Sequence, residues 1–74
     1  MKQYDLPIVI ERDKDGYFAF CPELQGCYSQ GNTYEETLTN IKDAISLHLQ
    51  DRIDENEEMP EIKSISLSTV HISI

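Results

Sequence analysis

The sequence predicts a small α+β domain of order β-β-β-α-β: a three-stranded antiparallel meander, one helix packed on one sheet face, and a last strand parallel to the first. Three observations predict it. Apolar residues alternate at Tyr4, Leu6, Ile8 and Ile10, and run unbroken from Tyr17 to Cys21. They recur at three- and four-residue steps from Leu38 to Ile53. Turn and cap residues, Asp15-Gly16, Pro22, Gly26 and Thr33, punctuate the intervals.

The first strand is expected from Tyr4 to Ile10, with Val9 alone breaking the alternation. Pro7 has no N–H to donate, which places it at an unpaired backbone position or near the strand's start. Asp13-Lys14-Asp15-Gly16 follows, and its Asp-Gly pair supports the positive backbone angles of a tight hairpin. Tyr17 to Cys21 returns antiparallel. Phe18 and Phe20 share one face and Tyr17, Ala19 and Cys21 the other; apolar groups on both faces make this the central strand. Pro22 stops it, Gly26 permits a reversal, and a third strand is expected from Cys27 to Gln30.

Thr33-Tyr34-Glu35-Glu36 fits a capping box, in which the Thr33 hydroxyl takes one free amide of the helix and the Glu36 carboxylate returns to another. Glu35 and Glu36 also suit the positive end of the helix dipole. Leu38, Ile41, Ala44, Ile45, His48, Leu49 and Ile53 form one apolar face, so the helix is expected from about Tyr34 to about Arg52. His48, without a Ser, Cys or carboxylate cluster at a suggestive spacing, reads as a partly buried residue at the core's edge. Between Asp51 and Glu61 six acids stand against one base, Arg52, which reads as a solvated, mobile connector or alternatively as a landing strip for a basic partner.

From Ile62 to Ile74 the alternation changes parity, so one straight strand cannot bury all its apolar residues on one face. An irregular approach through about Ser68 is expected, then a strand from Thr69 to Ile74 with Val70, Ile72 and Ile74 toward the helix and His71 away. Parallel to the first strand, it gives the sheet order 3-2-1-4. The sheet face expected to lack a cover carries Tyr17, Ala19 and Val9, and such a face is a binding or dimer surface by default.

A chain of 74 residues has room for one domain, residues 1–74. A chain this short buries only about 60% of its unfolded surface, so burial against a partner is expected, either a homodimer or a higher homo-oligomer. Fourteen Asp and Glu against six Lys and Arg leave a net charge of −8, which repels phosphate backbones and attracts basic proteins. Direct nucleic-acid binding is not expected. Cys21 and Cys27 are read as small apolar fillers, with a disulfide as the alternative. A metal site would need more ligands than His48 and His71 supply at their spacing, and no cofactor is implied. With no secretory signal and no bilayer-spanning apolar run, the chain is expected to be cytoplasmic and off the membrane.

The run Gly16-Tyr17-Phe18-Ala19, then Cys21-Pro22-Glu23-Leu24-Gln25-Gly26-Cys27, then Ser29-Gln30-Gly31-Asn32-Thr33, Glu36 and the helical Ala44-Ile45, resembles the N-terminal domain of the HicB family of antitoxins. The resemblance covers nearly the whole chain. It implies a partial ribonuclease H-like fold in a type II toxin–antitoxin system, binding a small basic toxin, HicA. That toxin is an mRNA-cleaving ribonuclease with a double-stranded-RNA-binding-type fold, silenced by covering its catalytic His and RNA surface. Longer family members carry a C-terminal DNA-binding module, and none is expected within these residues.

Three functions compete. The first is a non-catalytic antitoxin; its expected toxin contacts are Glu23, Leu24 and Gln25 in the connector with Tyr28, Gln30 and Tyr34, a polar and aromatic mixture suited to a protein interface. The second is a metal-dependent nuclease built on Glu11, Asp13 and Asp15 with Glu36 or Asp43. Turn and cap roles already account for Asp13, Asp15 and Glu36. The third is a stand-alone dimeric structural protein, associating through the bare sheet face or the edge of the last strand.

Overall fold

The structure, a computed structural model, describes residues 3–61 and 65–74. Met1, Lys2 and the stretch from Ile62 to Ser64, where the irregular approach was expected to begin, lie outside them.

Pro7 cannot donate to a ladder, and the first strand begins only after it. β1 is Val9–Asp13, β2 Gly16–Phe20 and β3 Tyr28–Gly31, followed by α1, Tyr34–Asp54. The expected span of the first strand, Tyr4 to Ile10, therefore moves toward the hairpin. The reason lies in the partner: β2 ends at Phe20, which pairs with Val9, so residues before Val9 have no strand opposite them. The sheet is antiparallel in the order β1-β2-β3, with β2 central as predicted.

The hairpin between β1 and β2 closes differently from the predicted Asp-Gly turn. Asp13 pairs with Gly16, leaving Lys14 and Asp15 as the loop. The Asp13 carboxylate accepts from the Asp15 N–H at 2.8 Å, an Asx turn that needs no positive φ in the loop itself. Gly16 is still required, because its φ is +136° and a Cβ there would stand 2.8 Å from the Gly31 carbonyl oxygen.

The capping prediction holds at its central contact: the Glu36 N–H donates to Thr33 Oγ1 at 3.0 Å. Thr37, absent from the predicted apolar face, is fully buried beside Ile41. Its hydroxyl donates back to the Thr33 carbonyl at 2.8 Å, which satisfies the polar atom and lets a threonine sit at a core position. Ile53, expected on the buried face, is exposed because it lies beyond the reach of the sheet.

The acidic stretch after Asp51 is not simply a mobile connector. α1 continues through Asp54 and stops in a Schellman arrangement: Asn56 adopts φ +53°, its N–H donates to the Ile53 carbonyl at 3.1 Å, and the Glu57 N–H donates to the Arg52 carbonyl at 2.8 Å. Arg52 Nη1 adds a bond to the Glu58 carbonyl at 2.7 Å.

The core consists of Ala19, Cys21, Leu24, Cys27 and Ile41, with Leu6, Ile8, Ile10, Leu38, Ala44, Ile45 and Leu49 packed around it. Ala19 therefore lies under the helix, and Tyr17 meets Tyr34 edge-on at 6.4 Å between ring centroids. This corrects the expectation that Tyr17 and Ala19 belong to the uncovered face. Alternation could not decide the matter, since both faces of β2 are apolar; size does, because Ala19 and Cys21 let the helix approach where two phenylalanine rings would hold it off.

The fourth strand is not formed among the described residues. Thr69 to Ile74 make no ladder, and Val70 and Ile72 remain 75% and 72% exposed. Among the described residues the order 3-2-1-4 is thus reduced to β1-β2-β3, with no described strand paired to the outer edge of β1.

Candidate functional site

The connector from Cys21 to Cys27 is built on backbone bonds. The Leu24 N–H donates to the Cys21 carbonyl at 3.1 Å, the Cys27 N–H to the Leu24 carbonyl at 3.2 Å, and the Cys21 N–H to the Cys27 carbonyl at 3.0 Å. These bonds fold the connector over its own side chain, so Leu24 points into the core at 1% exposure. Cys21 and Cys27 are both free and buried. Burial pushes the Cys27 thiol above its usual range, and the neighbouring Cys21 adds to the rise. Both cysteines act as apolar fillers, not as a disulfide.

With Leu24 directed inward, Glu23 is half-buried and Gln25 exposed at the connector's surface. Tyr28 and Gln30 alternate along β3 and share its outer face, where Tyr28 is 63% exposed. Sequence reasoning left Phe18 out of the contact set, yet it joins Tyr28 there: Phe18 stacks on Tyr28 at 6.0 Å and lies 6.1 Å from Phe20. The register explains the cluster, since Phe20 stands opposite Tyr28 and Phe18 opposite Gln30. Val9 and Glu11 extend this face across β1. The signal was present in the sequence as the pair Phe18 and Phe20, but only packing against α1 shows which face the helix covers.

Tyr34 is not part of that face. It caps the first turn of α1 against Tyr17, while Arg12 lies over the Tyr17 ring at 5.6 Å on the same side of the sheet. The expected contacts thus separate into Tyr28 and Gln30 on the outer face of β3, Glu23 and Gln25 at the surface of the connector, a buried Leu24, and Tyr34 on the helix side. Asn40 links the groups by donating to the Gln30 carbonyl at 3.0 Å, which fixes the end of β3 to the helix.

The carboxylates Glu11, Asp13, Asp15, Glu36 and Asp43 do not converge. Among the described residues no group of three His, Cys, Asp or Glu is placed to hold a metal ion, and the Asp13 carboxylate is engaged in its turn. No described helix is long and apolar enough to cross a membrane.

A family model for the HicB-like antitoxins of bacterial toxin–antitoxin systems matches residues 6–71. The chain belongs to this family. A UPF0150 protein of Synechocystis is 44% identical over 59 residues, covering 78% of this chain and 75% of the relative. A UPF0150 protein of Helicobacter pylori is 65% identical over 43 residues, 58% of this chain and 60% of the relative. A third, from Thermoplasma acidophilum, is 38% identical over 65 residues and covers 86% and 93%. Among solved structures, a chain of a HicA3 and HicB3 toxin-antitoxin complex superposes with a TM-score of 0.66 at 25% identity, covering 81% of this HicB-like chain and 70% of that one.

Proposed function

We propose that this HicB-like chain is the antitoxin of a type II toxin–antitoxin pair, binding and neutralising a small basic mRNA-cleaving toxin of the HicA type. The observation that carries the reading is the likeness to a chain from a HicA3 and HicB3 complex, together with the family match across residues 6–71. The chain acts in the cytoplasm by binding, without a catalytic residue or cofactor. It self-associates, because a core this small leaves apolar surface to cover.

Physical chemistry supports the assignment. A net charge of −8 draws a basic partner and lets fixed carboxylates occupy ground the toxin would offer to phosphates. The uncovered sheet face supplies aromatic anchors, Phe18 and Tyr28, of the kind that dominate protein interfaces. The contact surface comprises Glu23, Gln25, Tyr28 and Gln30 with Phe18; Leu24 supports it from beneath, and Tyr34 borders it from the helix side.

Calorimetric titration with a small basic toxin of the HicA type tests the reading. Binding that weakens with salt is expected, and Tyr28→Ala is expected to weaken it by about tenfold or more. Absence of association at low salt would end the antitoxin assignment; unchanged affinity in Tyr28→Ala would move the interface off the sheet.

A further inference from the structure

Two unsatisfied surfaces of this chain match each other in chemistry. The first is an apolar groove of about 440 Å³ between the start of the chain and α1, walled by Tyr4, Leu6 and Ile8 on one side and Ile41, Ile45 and Leu49 on the other. Its strand wall runs past the end of β2, where the ladder begins only at the Val9–Phe20 pair. Tyr4 to Ile8 thus keep a strand's alternation without ladder partners. The second surface is the stretch Thr69 to Ile74, with Val70, Ile72 and Ile74 in alternation and all exposed.

We propose that Thr69 to Ile74 is exchanged between two copies of the chain, adding a strand along the Tyr4 to Ile8 edge of its partner and laying Val70, Ile72 and Ile74 into the groove. Strand addition of this kind takes its affinity from main-chain bonds and its register from alternate side chains. This deepens the self-association proposed above and does not depend on toxin binding.

Reach places the strand in the second copy. Ile65, Ser66 and Leu67 already lie alongside Pro7, Ile8 and Pro22, beside the wall of the chain's own groove. From Leu67 to Ile74 an extended chain travels roughly 23 Å at about 3.3 Å per residue. From Ile65 to Ile74 the stretch holds Ser66, Ser68 and Ser73 but no Gly, Pro, Asn or Asp, the residues that set a turn by positive or fixed φ. Val70, Ile72 and Ile74 stand exposed, and none of them lines the chain's own groove.

Charge agrees. Two copies, each at −8, repel one another, whereas Thr69 to Ile74 holds no Asp or Glu and the groove's lining adds a positive charge at Lys42. The exchange brings together the parts of two acidic chains that do not oppose each other.

Sedimentation across a dilution series, with isotope-filtered NOE spectra on a sample mixed from labelled and unlabelled full-length chains, tests the exchange. A dimer is expected, with contacts between Ile72 of one copy and Ile45 of the other. Ile72→Asp is expected to sediment as a monomer with its helical circular dichroism retained. A monomeric natural chain, Ile72–Ile45 contacts confined within one copy, or a dimer indifferent to Ile72→Asp would each overturn the proposal. A monomer that still bound the toxin would sink the exchange alone, leaving the antitoxin reading intact.

Discussion

Leu24 and Leu67 are the same side chain in two regions of the molecule, yet one is 1% exposed and the other 97%. Leu24 is held by a connector whose backbone bonds close on themselves, under a helix whose first turn is capped and anchored. Leu67 belongs to a stretch with the apolar pattern of a strand and no ladder. Alternation marks what a segment could bury; burial requires a partner that presents both hydrogen bonds and a complementary face.

Removing the same atoms from the two sites gives the largest contrast. Leu24→Ala is expected to cost about 2–5 kcal/mol through lost transfer energy and a residual cavity. Leu67→Ala is expected to stay within about 0.5 kcal/mol, as for surface changes elsewhere. Urea unfolding of both variants measures the pair, and equal losses would show that the stretch from Ile65 to Ile74 is packed in solution.

A smaller effect separates local capping from core packing. Thr33→Ala removes the acceptor for the Glu36 N–H and is expected to cost about 1 kcal/mol. Thr33→Asp is expected to restore most of it, because a carboxylate accepts the same bond at the positive end of the helix. Thermal unfolding of the two variants distinguishes a lost cap from a disturbed core.

The smallest expected effect is a pH dependence from Cys27. Its thiol ionises at higher pH in the folded protein than in the unfolded chain, because burial disfavours the thiolate. The unfolded state therefore loses its proton first. The stability is fully present below the unfolded thiol value, about 8.5, and is lost as pH rises through the folded value. Unfolding midpoints followed from neutral to alkaline pH under reducing conditions are expected to fall, and the fall is expected to be shallower in Cys27→Ala.

Much of the folded region was legible because its local signals and tertiary demands coincide. Thr33 reads as a cap and acts as one, β2 reads as central and is central, and Gly16 reads as a turn glycine and is pressed against Gly31. The covered face of the sheet was not legible: Phe18 and Ala19 are both apolar, and only packing against α1 separates them. Thr37 was missed because its polarity hides a core position that a bond to Thr33 makes tolerable. The helix stop at Asn56 had a sequence signal, an Asn able to take a left-handed backbone, that the surrounding acids obscured. The contact set mixed faces because it followed sequence proximity; Tyr28 and Gln30 meet Phe18 through register, whereas Leu24 turns inward within its own connector.

Gly31 carries one further consequence, for how members of this architecture can vary in length. A Cβ at Gly31 would stand 2.7 Å from Thr37 Oγ1 and 3.0 Å from the Thr37 backbone nitrogen, so the first turn of the helix rests directly on the last residue of β3. Lys14 and Asp15, by contrast, are exposed at the free end of their hairpin. Insertions in descendants of this sequence can accumulate at Lys14-Asp15 without moving the helix. Between Gly31 and Thr33 even one added residue would displace the helix and all it covers, so drift in length is open to one loop and closed to the junction that stands beside it at the same end of the sheet.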